Sequence, residues 1–240
     1  MILTPHPILI ELAIGPVYTH GLFFAMGALA GALVLAHQRQ FFERSLGWML
    51  ERSVYIFIFG ILAARFAFLL SYPSIWDSVS QIFSFWDGGL VSYGGILGGA
   101  LVVLAQARAF PIAKRPQWYA TVVLACLLGW GIGRFGNFFA GDSVGVASTH
   151  WSFFYGRIPI QIFESVLCFS VYFIVRGWLA GNPWRVVYVS GLAYFLGRAV
   201  IDTWRDESVV LMLHVSQWIS VLVALGIVII WRYRAEKRVG

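Results

Sequence analysis

Residues 117–145, "QWYATVVLACLLGWGIGRFGNFFAGDSVG", decide the fold class of this chain. The first half is an apolar run that suits a helix in lipid. The second half places Arg134, Asn137 and Asp142 among five glycines at the end of that run. Charged side chains are costly inside a bilayer and usually face a cavity or a partner. We therefore predict a membrane span and then a glycine-rich loop, which is either a re-entrant turn or part of an anion site.

The composition of the whole chain agrees with a membrane protein. Of its 240 residues, 60% are hydrophobic and 12% are charged, with a mean hydropathy of +0.78. A soluble domain of this size has too much surface to be so apolar. We predict an all-α polytopic membrane protein that forms one domain over residues 1–240. The net charge of +6 lies in short loops between apolar runs, so it is not a sign of nucleic-acid binding.

Positive charge in the loops predicts the orientation of the spans. The apolar stretches run near 16–36, 53–72, 90–107, 117–132, 161–178, 185–203 and 211–231. With these seven spans, 12 of the 17 Lys and Arg residues fall on one side of the membrane. Loops rich in Lys and Arg face the cytoplasm. We therefore predict an outer N-terminus and a cytoplasmic C-terminus.

Five arginines depart from this charge pattern because they fall within spans or on the outer side: Arg65, Arg134, Arg157, Arg198 and Arg205. Residues 191–207, "GLAYFLGRAVIDTWRDE", place Tyr194, Arg198, Asp202 and Arg205 on one helix face, at spacings of about one turn. Arg198 and Asp202 can pair at i,i+4. A structural ion pair is one interpretation. A bound phospholipid phosphate is the other, because two arginines exceed one aspartate and a guanidinium binds phosphate in a bidentate manner.

Two further segments carry candidate site residues. Residues 86–101, "WDGGLVSYGGILGGAL", place Tyr93, Gly94 and Gly95 at the predicted outer start of the third span. Residues 158–165, "IPIQIFES", place Gln161 and Glu164 one turn apart. These two side chains either line a site or simply suit the positive end of a helix dipole. The five histidines have no metal-ligand spacing, so no metal site is predicted.

These motifs together resemble those of the bacterial prolipoprotein diacylglyceryl transferases. "GRFGNFFAGDSVG" is similar to the family signature G-R-x-G-N-F-x-N-x-E with a following glycine. "WDGGLVSYGG", "PIQIFES" and "YFLGRAVIDTWRDE" are similar to its GGLVFYGG, P-x-Q-L-Y-E and Y-x-x-x-R-F-x-x-E-x-x-R segments. "AIGPV" near the start and "VSQWIS" before the last span also fit. The motifs follow the family order along the whole chain.

The resemblance implies an enzyme of the bacterial cytoplasmic membrane with its active site towards the outer leaflet. Such an enzyme moves the diacylglyceryl group of phosphatidylglycerol to the thiol of the lipobox cysteine in a preprolipoprotein signal peptide, and it releases glycerol phosphate. The implied partners are these two substrates and membrane lipids, with no nucleic acid, metal or organic cofactor. A phospholipid-binding paralogue without this chemistry and a small-molecule transporter are the alternatives.

The resemblance also implies roles for individual residues. From the chemistry of the residues, we expect Arg134 and Arg198 to anchor the phosphate and stabilise it as the leaving group, and Tyr93, Tyr194 or His20 to pass the thiol proton. His20, near the outer start of the first span, is the one histidine that we place near the site. This sequence departs from the family at Ala140, where the family has asparagine. The implied catalytic set is Arg134, Asn137, Arg198, Tyr194, Tyr93, Asp142 and Asp202, in which both aspartates replace glutamates. The implied phospholipid-binding set is Arg134, Arg198, Arg205, Gly145, Gly94, Gly95, Gln161, Glu164 and His20.

Overall fold

Helices make up most of the chain. A computed structural model describes residues 5–12, 15–73, 78, 80, 83, 89–142, 144–151, 156–207 and 209–239. The helices, in chain order, are α1 (Thr19–His37), α2 (Arg39–Phe42), α3 (Leu46–Ser71), α4 (Ser92–Ala107), α5 (Arg115–Ala140), α6 (Ile160–Val175), α7 (Pro183–Ile201) and α8 (Val215–Val239). The strands are β1 (Ile8–Leu12), β2 (Gly15–Tyr18), β3 (Val209–Val210) and β4 (Leu213–His214).

Within the described residues, six helices, counted with adjoining 3₁₀ turns, are long and apolar enough to cross a membrane: Thr19–His37, Leu46–Ser71, Ile112–Ala140, Ile160–Trp178, Pro183–Trp204 and Val215–Glu236. A bilayer core needs about 20 apolar residues in a helix. The predicted all-α polytopic membrane fold is therefore confirmed. The predicted span near 90–107 corresponds to α4, a shorter apolar helix of 16 residues. The count of seven spans and their orientation stay predictions.

Two small antiparallel sheets accompany the helices. Strands β1 and β2 pair just before α1, and β3 and β4 pair between α7 and α8. Leu211 and Met212 join β3 to β4, and both have positive φ, at 49° and 70°. A tight hairpin turn of this length favours positive φ at both central residues. Neither hairpin was predicted from the sequence, because the strands are only two to five residues long.

The chain divides into two compact units, with boundaries inside α1 and α5. One unit is Ala32–Val122, in which α3 and α4 pack closely because small residues face each other. A Cβ atom at Gly98 would meet Ala63, so side chains larger than hydrogen would push these helices apart. The prediction of one domain over residues 1–240 remains untested.

The other unit is Met1–Gly31 with Val123–Gly240, and it contains the packed pairs α6–α7 and α7–α8. Here the predicted glycine-rich loop is wrong as far as Ala140, because α5 continues through it. The glycines in this stretch provide room for neighbours: a Cβ atom at Gly131 would meet the Phe169 ring, and one at Gly136 would meet Phe23. The prediction ended this helix too early because glycine has a low helix propensity and usually marks helix ends in soluble proteins.

Helices α1 and α5 approach most closely at a pair of glycines. A Cβ atom at Gly129 would lie 2.7 Å from the carbonyl oxygen of Gly27, and one at Gly27 would meet the carbonyl oxygen of Gly129. We expect Gly27→Ala to lower the free energy of unfolding by about 1–3 kcal/mol, because the backbones must separate. Thermal unfolding in detergent measures this change.

Gly226→Ala in α8 is the matched control, since a Cβ atom there meets nothing within 4 Å. Alanine is the better helix former, so this change should raise the free energy of unfolding by about 0.5–1 kcal/mol. Equal effects of the two substitutions would show that backbone proximity does not limit the α1–α5 contact.

Candidate active site

Glu164 is the centre of a buried polar cluster between α5, α6 and α7. It lies on α6 with 0% of its side chain exposed. The Nε atom of Arg134, from α5, lies 2.7 Å from Glu164 Oε2 as an ion contact that lacks hydrogen-bond alignment. The Nη1 atom of Arg198, from α7, donates to Glu164 Oε1 at 2.9 Å. One carboxylate therefore holds two arginines from the helices on either side of it.

Two aromatic side chains complete the surroundings of the Glu164 carboxylate. Trp130 Nε1 donates to Glu164 Oε1 at 3.0 Å, and the Tyr194 hydroxyl donates to the same oxygen at 3.2 Å. Arg198 Nη1 also donates to the Tyr194 hydroxyl at 2.8 Å. The hydroxyl of Tyr194 thus donates to a carboxylate and accepts from a guanidinium, so it links Glu164 to Arg198 and is fixed in orientation.

Asp202 supplies a second buried carboxylate, directly after α7. Its Oδ2 lies 3.5 Å from Arg198 Nε, and its Oδ1 accepts from Arg205 Nε at 3.0 Å. Arg205 Nη1 also donates to the exposed Glu207 at 3.2 Å. Burial lowers the pKa of the Arg205 guanidinium, but the Asp202 carboxylate, with Glu207, makes the net shift upward. Contacts therefore join Tyr194, Arg198, Asp202 and Arg205 as predicted, although α7 ends at Ile201 and Arg205 has extended backbone, so the four do not share one helix face.

The buried part of the cluster carries excess positive charge. Three guanidiniums, those of Arg134, Arg198 and Arg205, face two buried carboxylates, those of Glu164 and Asp202. The Nη2 atoms of Arg134 and Arg205 are buried and have no hydrogen-bond partner among the described residues. A buried donor without a partner is costly unless a ligand satisfies it. The arrangement therefore suits an anion with several acceptor oxygens.

Asp142 and His20 form a pair in the same unit as this cluster. Asp142 Oδ2 lies 3.5 Å from His20 Nδ1, and both side chains are half exposed. The backbone carbonyl of Asp142 accepts from Gln161 Nε2 at 2.5 Å, and its N–H donates to the carbonyl of Asn137 at 3.0 Å. Gln161 is fully buried one turn before Glu164, so it joins this pair to the helix that carries Glu164.

The backbone of Gly145 pairs with the segment next to Arg205. Its N–H donates to the carbonyl of Ile158 at 3.1 Å, and it forms an isolated bridge with Arg205. Arg157 Nη1 donates to the carbonyl of Gly145 and to Asp206 Oδ2, at 3.1 and 2.7 Å. The N–H of Gly145 is therefore not available to bind an anion. A Cβ atom at this position would collide with the carbonyl oxygens of Trp204 and Ile158. Gly145 supports the segment that carries Arg205.

The remaining predicted residues lie on α4, in the unit Ala32–Val122. Tyr93 is half-buried in the first turn of that helix. Gly94 packs on Ala63 and Ala67 of α3, and a Cβ atom at Gly95 would lie 3.3 Å from the carbonyl oxygen of Gly60. Both glycines therefore have a packing role within their own unit.

Two residues that contact the site, Trp130 and Ser165, were not predicted from the sequence. Trp130 precedes Arg134 by one helical turn on α5, and the i,i+4 spacing is a signal that could have identified it. The hydroxyl of Ser165 donates to the carbonyl of Gly131 at 2.9 Å. Of the two interpretations of Gln161 and Glu164, the site-lining one agrees with their complete burial.

Comparison with known proteins identifies the family. The family described as prolipoprotein diacylglyceryl transferase matches residues 7–233. The chain belongs to this family. Proteins named phosphatidylglycerol–prolipoprotein diacylglyceryl transferase include one from Synechococcus elongatus, 28% identical over 98% of this chain and 90% of its own length. Those from Chloroherpeton thalassium and Clostridioides difficile are 24% and 26% identical, over 92% and 91% of this chain and 90% and 91% of theirs.

Membership confirms the predicted family and the prediction that the chain is an enzyme of lipoprotein biosynthesis. The described residues include six apolar helices of membrane-crossing length, so the chain is a multi-pass bacterial membrane protein.

Proposed function

We propose that this chain transfers the diacylglyceryl group of phosphatidylglycerol to the thiol of the lipobox cysteine in a preprolipoprotein. The observation that carries the proposal is the buried cluster in which Arg134, Arg198 and Arg205 outnumber the carboxylates of Glu164 and Asp202. Two buried guanidinium nitrogens there lack partners among the described residues. A phospholipid phosphate satisfies both donors and balances the charge.

The proposed reaction forms one bond and breaks one bond at the glyceryl carbon. The thiolate sulfur attacks the carbon of the diacylglyceryl group that carries the phosphate ester. The carbon–oxygen bond breaks, and its electron pair leaves with the phosphate as glycerol phosphate. A diester with one negative charge becomes a monoester with more charge. Arginines that are already in place stabilise charge that develops in the transition state, so they lower the barrier.

Arg134 is the residue best placed to contact the phosphate, because its Nη2 is buried and free of hydrogen bonds to described residues. Arg198 donates through Nη1 to both Glu164 and Tyr194, so it contributes mainly fixed positive charge. Glu164 and Asp202 position the arginines. Asn137 is half-buried on the same helix as Arg134 and orients the substrate ester or hydroxyl groups.

The proposed location is the bacterial cytoplasmic membrane, with the active site towards the outer leaflet. The charge of the loops supports this orientation, because most Lys and Arg residues fall on the side that would be cytoplasmic. The residues around Asp142, Arg157 and Asp206 would then lie outside, where preprolipoproteins emerge.

Diacylglyceryl transfer to a peptide tests the proposal. Purified protein in detergent is incubated with phosphatidylglycerol and a lipobox peptide that contains one cysteine. We expect mass spectrometry to detect a thioether-linked diacylglyceryl adduct and released glycerol phosphate. A matched peptide with serine in place of cysteine is the control and should give no adduct.

A second candidate function is phospholipid binding without transfer. It is favoured by the departures from the family motifs at Asp142 and Asp202, because each aspartate is one methylene shorter than the glutamate that it replaces. In that case phosphatidylglycerol would copurify with the protein, and neither adduct nor glycerol phosphate would form.

A further inference from the structure

The pair of His20 and Asp142 has the arrangement of an oriented base. His20 stands in the first turn of α1, and Asp142 stands two residues after the end of α5. The carboxylate Oδ2 lies 3.5 Å from Nδ1 of the imidazole ring. A carboxylate at Nδ1 favours the tautomer with the proton on Nδ1, and it leaves the Nε2 lone pair as an acceptor. Catalytic hydrogen bonds are often this long before substrate binds.

The backbone holds both members of this pair in place. The hydroxyl of Thr19, the neighbour of His20, donates to the carbonyl of His6. The carbonyl of Asp142 accepts from Gln161, which lies one turn before Glu164 on α6. The fully buried Gln161 therefore links the half-exposed pair to α6, the helix that carries Glu164 one turn later. A base accessible to an incoming peptide thus lies in the same unit as the site proposed for the phosphate and is joined to it through α6.

The other candidate proton acceptors are less suitable. The hydroxyl of Tyr194 already donates to Glu164 and accepts from Arg198, so taking another proton would compete with the Arg198 hydrogen bond and put positive charge beside that guanidinium. Tyr93 offers a phenol, and phenols are almost fully protonated near neutral pH, whereas imidazole is largely unprotonated. Imidazole is thus the stronger proton acceptor available at neutral pH.

We propose that His20, oriented by Asp142, accepts the proton of the acceptor thiol during diacylglyceryl transfer. This inference rests on the proposed function. The thiol proton moves to Nε2 of His20 as the sulfur attacks the glyceryl carbon. The electron pair of the breaking carbon–oxygen bond leaves with glycerol phosphate, and the imidazolium then returns its proton to water. His20 acts as the general base, and Asp142 is a positioning residue.

The rates of His20→Gln across pH test this role. At neutral pH we expect kcat to fall by about 10²-fold or more, with little change in the KM for phosphatidylglycerol. A free cysteine thiol has a pKa of about 8.5, so at higher pH the peptide supplies its own thiolate. The deficit of His20→Gln should therefore shrink towards pH 9.5. The titratable groups that the described residues place against His20 are Tyr18, with ring centroids 5.7 Å apart, and Asp142.

His37→Gln, at the other end of the same helix, is the matched control and should keep the wild-type rate. Asp142→Asn should show a smaller loss than His20→Gln, with the same recovery at high pH, and Asp142→Glu should restore part of the rate. In ¹⁵N-histidine NMR spectra, Asp142→Asn should shift His20 towards the tautomer with the proton on Nε2.

A deficit that stays equal at every pH would show a structural role and overturn the proposal. Wild-type transfer by His20→Gln at neutral pH would also overturn it, while the proposed function would stand. A wild-type protein that forms no adduct at any pH would overturn the proposed function itself, and the role of His20 with it.

Discussion

Glu164→Gln should reduce diacylglyceryl transfer by about 10²-fold or more and should destabilise the protein measurably. The substitution removes a buried charge that holds Arg134 and Arg198 at 2.7 and 2.9 Å. Breaking a buried ion pair costs about 3–5 kcal/mol, because the remaining charge is left uncompensated. Two guanidiniums would repel each other without the carboxylate and would lose the geometry that receives the phosphate. Transfer rates and thermal unfolding in detergent measure the two effects.

Glu207→Gln is the matched control for Glu164→Gln. Glu207 is half exposed and pairs with Arg205 at 3.2 Å. An exposed pair contributes only about 0–1 kcal/mol, so transfer and stability should stay close to wild type. If Glu164→Gln transferred at the wild-type rate, the carboxylate would not be needed to position the arginines. Added phosphatidylglycerol should recover part of the stability of Glu164→Gln, because the phosphate supplies the missing negative charge.

Arg134→Ala should reduce transfer by about 10²- to 10³-fold, the range expected when one donor to a developing charge is removed. Arg134→Lys tests whether the positive charge at position 134 is enough or whether the shape of the guanidinium is also needed. Lysine keeps a positive charge for Glu164, but it cannot contact the carboxylate through Nε and the phosphate through Nη2 at once. We therefore expect Arg134→Lys to remain at least about tenfold slower than wild type, with the loss in kcat. Steady-state kinetics with the lipobox peptide measures this difference.

Arg176→Lys provides the control for Arg134→Lys. Arg176 is exposed after α6, with its guanidinium 4.9 Å from the Phe173 ring centroid. Its replacement should leave kcat and KM unchanged. Equal rates for wild type and Arg134→Lys would show that charge alone suffices at position 134, so simultaneous contact of one guanidinium with the carboxylate and the phosphate would not be needed there.

The face of α7 could be predicted from the sequence because it is a local property. Arg198 and Asp202 are four residues apart, and their 3.5 Å contact follows from helix geometry. Glu164 could only be given two interpretations, because its partners come from α5 and α7, more than 25 residues away in the chain. One sequence without tertiary contacts cannot choose between a helix-dipole carboxylate and a shared ion-pair acceptor.

The apolar runs predicted the spans, but glycine was interpreted by rules for helices in water. Gly131 and Gly136 lie inside α5, where they make room for Phe169 and Phe23. A membrane helix tolerates such glycines because close packing compensates for their poor propensity. The prediction therefore ended the helix too early and expected a loop over residues that are helical as far as Ala140. Most of the connection 73–90 lies outside the described residues.

The position of the bound phosphate is the most direct test of whether the buried arginine cluster binds phosphatidylglycerol. An experimental structure of the protein with phosphatidylglycerol bound in lipid nanodiscs measures it. We expect a phosphate oxygen within hydrogen-bonding distance of Arg134 Nη2, with Glu164 still paired to Arg134 and Arg198. A headgroup bound elsewhere, with Arg134 Nη2 satisfied by protein or water alone, would exclude Arg134 as the phosphate ligand.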